Sequence, residues 1–132
     1  MTQLHRFFYY SRATEKAHMR GVTNIVQVGN DFTRKNAISG LLVLDGEYFY
    51  EYLEGPAPAM QFLIARLRTD PRHADMVVLL DSALLNDERR FTVWNMAFAV
   101  GQAQSVQSLI GADGETALAH FMSMVPELEI VQ

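Results

Sequence analysis

Cysteine is absent from the 132-residue chain, so disulfides, zinc thiolates and thiol nucleophiles are excluded. A basic charge balance is absent too: eleven Lys and Arg stand against fifteen Asp and Glu, a net charge of −4. Proteins that neutralise phosphate backbones usually carry the opposite sign, so nucleic acid is not an expected partner. Long apolar runs are missing. SGLLVL and MVVLL are strand-sized, nothing approaches a membrane span, and the start MTQLHRFFYYSR has no signal-peptide h-region. The four histidines, His5, His18, His73 and His120, lack metal-ligand spacing. No nucleophile elbow surrounds a serine, and GPAPAM is too short for a phosphate loop and has no trailing lysine. What is there, 49% hydrophobic and 20% charged residues, suits one domain with a real core. A cytoplasmic location is expected.

The hydrophobic pattern changes period along the chain. Leu4 to Ser11 is aromatic and strand-forming. From about Ala17, Val22, Ile25, Val26, Gly29 and Phe32 fall at helical spacing, with Gly21 and Gly29 weakening the helix. Ile38 to Leu44 and Glu47 to Leu53 read as a hairpin about Asp45-Gly46. Pro56 and Pro58 open a second helix with the stripe Met60, Leu63, Ile64 and Leu67, and Asp70-Pro71 stops it. Met76 to Leu80 is a fourth strand and Phe91 to Val100 a fifth, after a charged loop from Asn86 to Arg90. Gln104 to Phe121 reads as two short helices broken at Gly111 to Gly114. The order β-α-β-β-α-β-β-α-α predicts an α+β fold: a ferredoxin-like βαββαβ unit with an added strand in a five-stranded mixed sheet. Two helices lie on one face and the short C-terminal helices on the other.

One strand carries an anomaly. EYFYEYLEG places Glu51 in a strand interior, where glutamate is disfavoured. By alternation Phe49, Glu51 and Leu53 share the face that meets the helix pair, and Tyr48, Tyr50 and Tyr52 share the other. Tyrosines in strands, a tryptophan in VWNM and the charged RLRTDPRH stretch are by default core packing and a solvated helix end. An RNA-recognition module also has aromatic central strands, but here the expected basic residue is missing and Glu47 and Glu51 would repel phosphates.

Four segments, in order, resemble one family. HRFFYYSRA resembles the opening strand of BLUF domains, the sensors of blue light using FAD, with their Tyr-x-Ser at Tyr9. NAISGLLVLDGEYFYEYLEG resembles their N-x-x-(T/S)-G-L-L…F-x-Q-x-L-E-G core, RLRTDPRH their R-x-x-x-D-x-R-H, and ERRFTVWNMAF their R-R-F-x-x-W-x-M. The resemblance covers about Leu4 to Val100. It implies a flavin-binding domain over residues 1–100, with residues 101–132 as its helical cap.

What the resemblance implies is an FAD, or FMN, between the two helices, and a light sensor rather than an enzyme. Tyr9 matches the photoactive tyrosine, and Trp94 and Met96 match the relay pair. Ile25 matches an apolar wall, and Arg66, Asp70, Arg72 and His73 match polar residues toward the ribityl and phosphate end. Two positions depart from the pattern. Glu51 stands where the photochemical glutamine belongs, and Thr33 where a flavin-binding asparagine belongs. An ionised Glu51 offers only acceptors, whereas a protonated one regains a donor, and burial favours that neutral form. The reading is a flavin-binding blue-light sensor with an altered photocycle, signalling to a downstream protein and forming a homo-oligomer. The alternative is an interaction module of the same fold that binds flavin weakly or not at all.

Overall fold

Leu4–Ala13 forms β1, whose residues Phe7, Tyr9 and Ser11 alternate with Phe8 and Tyr10 across the sheet. The protein is described here by a computed structural model covering residues 3–85, 88–99 and 111–131. Helix α1 spans Glu15–Lys35 and is two helical runs meeting at Gly21, whose φ of 77° and ψ of 160° break the helical backbone. That positive φ needs a glycine. Strands β2 (Ser39–Leu44) and β3 (Tyr48–Pro56) make the expected hairpin. Gly46 takes φ 103° at the turn, and the Tyr48 amide donates to Asp45 Oδ1 at 2.9 Å. Helix α2 is Ala57–Thr69, entered through Pro56 with Pro58 in its first turn.

β4 (His73–Ala83) is longer than its apolar run suggested, because it pairs with the whole of β1. β5 (Trp94–Phe98) is shorter than expected, because the chain before it is held by a side chain rather than by a strand. Helix α3 (Gly114–Met124) is capped by Asp113, whose Oδ1 accepts from the Thr116 amide at 2.9 Å. A short added strand, β6 (Glu129–Ile130), follows a single 3₁₀ turn. The first of the two expected C-terminal helices, beginning at Gln104, falls at 104–110 outside the described residues, as does the far end of the fifth strand at Val100.

The sheet order is β4-β1-β3-β2-β5-β6, antiparallel throughout except that β5 runs parallel to β2. This is the α+β, ferredoxin-like arrangement with its fifth strand beside β2. Two cores lie on opposite faces. Phe7, Tyr9, Leu42, Phe49, Leu53, Trp94 and Met96 pack under α1 and α2. Phe8, Leu41, Val43, Tyr50, Tyr52 and Ala97 pack against Leu118 and Phe121 of α3. None of the described helices is long and apolar enough to cross a membrane.

Candidate functional site

The register of the sheet builds the site. Tyr9 of β1 lies opposite Glu51 of β3, Glu51 opposite Leu42 of β2, and Leu42 opposite Met96 of β5. Because residues directly opposite one another on paired strands share a face, their side chains form one row beneath the gap between α1 and α2. That gap is a cavity of about 390 Å³, within the range of about 300–1,000 Å³ that holds small ligands. Ile25, Leu42, Leu53, Leu63 and Leu67 give it apolar walls, while Glu51, Tyr9, Arg66, Asp70, Arg72 and His73 bring polar atoms to it.

At its floor sits a carboxyl group bonded through both oxygens. Tyr9 donates its hydroxyl to Glu51 Oε1 at 2.7 Å, and Trp94 donates its indole Nε1–H to Glu51 Oε2 at 2.9 Å. Glu51 is only 5% exposed. Burial pushes its carboxyl up; the Tyr9 and Trp94 hydrogen bonds and the Arg72 charge hold it back, leaving it at about 6 rather than the ordinary 4.5. Burial favours the neutral form, and the two donors aimed at one carboxyl oppose it. Burial and the adjacent Glu51 raise the Tyr9 phenol well above its ordinary value.

Trp94 reaches Glu51 because α1 gives way. A Cβ at Gly29 would stand 2.6 Å from the indole ring, closer than any real contact. On its other side the indole borders a second cavity of about 360 Å³, between the end of α1 and the chain before β5. Met96, 1% exposed, lies in the core beside the site and not on the cavity wall.

The polar end is a set of closed pairs. Arg72 donates from Nη2 to Asp70 Oδ2 at 2.6 Å and reaches Asn24 Oδ1 at 3.4 Å. Burial pulls the Asp70 carboxyl up, but the hydrogen bonds and charge of Arg72 outweigh it and hold it below 3.8. His73 lies 2.7 Å from Ser11 Oγ through Nδ1 and 2.6 Å from the Leu67 carbonyl through Nε2. The carbonyl can only accept, so Nε2 carries the proton and a neutral ring takes its Nδ1 bond from the serine. Thr33 turns its hydroxyl back on α1, donating to the Gly29 carbonyl at 2.7 Å, so it presents no donor to the cavity. Among the described residues no cluster of three or more acidic, His or Cys side chains could hold a metal ion.

A second buried acid was not singled out from the sequence. Glu54, fully buried, accepts from the Arg90 and Phe91 amides, each at 2.7 Å, from Tyr52 Oη at 3.0 Å and from Ser39 Oγ at 3.2 Å. It clamps the chain that enters β5 and thereby sets where Trp94 begins. The signal was the same as for Glu51, an acid in a strand interior of EYFYEYLEG. Glu54→Ala leaves two part-buried amides without their acceptor and is expected to cost about 2–4 kcal/mol in chemical denaturation. The Trp94 emission of the folded variant should shift as the chain entering β5 loosens.

The family described as sensors of blue-light using FAD, BLUF, matches residues 4–97. The chain belongs to the BLUF family. Its sequence is 30% identical over 97 residues to a photoactivated adenylate cyclase subunit alpha-like protein of Euglena gracilis, covering 72% of this chain and 9% of that protein. It is 26% identical over 72 residues to the blue light- and temperature-regulated antirepressor BluF of Escherichia coli K12, covering 54% of this chain and 18% of the antirepressor. The chain thus spans less than a fifth of either relative. The dark-state structure of the BLUF protein BlrB superposes with a TM-score of 0.77 at 22% identity, covering 95% of this chain and 96% of that one. BlsA in its ground state gives 0.78 at 20% identity, covering 98% and 91%. The cofactor of the BLUF family is flavin. The residues present fit it: an apolar slot between two helices, open at one end and polar at its floor, suits a flat ring system with heteroatoms along one edge.

Proposed function

We propose that the chain is a flavin-binding blue-light sensor in which Glu51 takes the part of the family's glutamine as a proton acceptor. The observation that carries this is the Tyr9–Glu51–Trp94 chain at the floor of the cavity. Flavin supplies absorption of blue light and a ring that accepts an electron. Ile25 would wall the ring, Arg66, Arg72, Asp70 and His73 would hold the polar tail and edge, and Thr33 would contribute only shape. On losing an electron to the bound ring, Tyr9 would pass its proton along the 2.7 Å bond to Glu51 Oε1. The carboxylate would then be a carboxylic acid, with one O–H donor where there was none. A donor newly placed at the floor of the cavity is the change that would register at the edge of the ring.

The same donor arises without light when Glu51 is protonated from solution. Facing Glu51 are Tyr9 from β1, Trp94 from β5, and Arg72 and Asp70 beyond α2, with Arg72 favouring the charge and Asp70 opposing it. Acidification through about pH 6 should therefore mimic illumination. Trp94 feels both events, since its indole N–H is a donor only and needs the ionised oxygen or a free carbonyl. The signal leaves through β5 and protein contacts to an unidentified partner, with a homo-oligomer as the working assembly and no catalysis in the chain itself.

The open slot supports this reading over a light-blind interaction module, which would fill it. Illumination of the purified protein tests it. Yellow protein should show a reversible red shift of its flavin band under blue light, and protein that stays colourless after exposure to excess FAD would overturn the reading.

A further inference from the structure

The second cavity opens on another face of α1. It measures about 360 Å³ and lies between the end of that helix and the chain entering β5. Trp94 and Thr33 line both cavities, so the indole is a shared wall. The charge around the second cavity is of one sign. Arg34 from α1 and Arg89 from the chain before β5 both open onto it, and no acidic side chain among the described residues does, in a chain of net charge −4.

Neither guanidinium is spent on a carboxylate among the described residues. The last carbonyls of α1 do not need Arg34 either. The Ile38 amide donates to the Thr33 carbonyl at 2.9 Å, and Asn36 Nδ2 donates to the Phe32 carbonyl at 2.8 Å. Arg89 donates from Nη1 to Ser39 Oγ at 3.0 Å and to the Glu54 carbonyl at 3.4 Å, which anchors it and leaves Nη2 for a ligand. The Glu54 carboxylate is taken by the Arg90 and Phe91 amides. Two cations facing one space without a counter-charge focus a positive field into it. Ile38, Val93 and the Trp94 indole supply an apolar wall beside them, with Val93 56% exposed.

We propose that this cavity binds a small organic phosphate, its phosphate held by Arg34 and Arg89 and its apolar body laid against Ile38, Val93 and the indole. A phosphate monoester carries close to two negative charges, and a guanidinium pairs with its oxygens through two parallel N–H donors. An inorganic ion would leave the apolar wall unused, and a neutral apolar ligand would leave the two cations unmatched. The occupant rests against the same indole that donates to Glu51, which gives this site a route to the first cavity.

Trp94 is the chain's only tryptophan, so its emission reports the site directly. Titration with phenyl phosphate at pH 8 and constant ionic strength should change that emission saturably. Inorganic phosphate should bind several-fold more weakly, and benzyl alcohol should give no saturable change. Arg34 is exposed, so Arg34→Gln should keep its far-ultraviolet circular dichroism while weakening phenyl phosphate about tenfold. Arg34→Lys, which retains the charge, should weaken it less. The site is refuted by a wild-type emission that phenyl phosphate leaves unchanged or alters no more than sodium chloride does, or by undiminished affinity in Arg34→Gln. Affinity lost in Arg72→Gln but kept in Arg34→Gln would put the anion in the first cavity and equally overturn the proposal.

Discussion

Glu51→Gln should remove the titration of the flavin absorption band near pH 6. In wild type the dark absorption band should move red as pH falls through about 6, because protonation places an O–H at the cavity floor. An amide has no proton to gain in that range. The substitution also has a directional consequence. Trp94 can only donate, so the glutamine oxygen must face the indole, and its NH₂ then faces Tyr9. The Tyr9 bond reverses, with the phenol oxygen accepting rather than donating. Stability gives an independent readout in flavin-free protein. Burial raises the folded-state carboxyl from 4.5 to about 6. Its contribution to stability is thus full below about pH 4.5 and is lost as pH rises through about 6, a difference of about 2 kcal/mol. Denaturation midpoints of wild type should show that slope, and those of Glu51→Gln should not. A titration of the flavin band near pH 6 that survives in Glu51→Gln belongs to another group and would refute the assignment.

Tyr9→Phe should abolish the light response, lowering its amplitude by about a hundredfold or more, while changing flavin affinity by less than about threefold. The phenol donates to Glu51 Oε1, and it is oriented by the register that sets β1 against β3. Removing it leaves the apolar wall and the polar tail contacts intact. It also removes one of the bonds that favour ionised Glu51, so the dark titration should move upward from about 6. Loss of a hydrogen bond to a buried charge is expected to lower stability by about 2 kcal/mol at pH 8. Transient and steady-state absorption of the flavin band check the first effect, and a dark pH titration checks the second.

Much of this site was readable in the chain. Alternation alone put Glu51 with Phe49 and Leu53 beneath the helices, because a strand offers two faces and no others. The motifs around Tyr9, Glu51, Arg66 to His73, and Trp94 named the residues that the cavity gathers. Partnership was not readable. That Tyr9 meets Glu51 depends on the β1–β3 register, which long-range pairing fixes and no local pattern encodes. That Trp94 donates to Glu51 depends on a glycine one helix away, at position 29, leaving room for the indole. Glu54 escaped notice because its two shortest bonds come from backbone amides, which every sequence has everywhere. Burial of Glu51 was readable, but not the two donors that only the folded chain brings to it.

The most direct measurement is the light-minus-dark absorption difference of flavin-loaded protein at pH 8 and pH 5. With Glu51 as the proton acceptor, a reversible red shift should appear at pH 8. At pH 5 the dark band should already stand at the shifted position, and light should add little. A light response of equal size at both pH values, or bound flavin that does not respond at pH 8, would contradict the role assigned to Glu51.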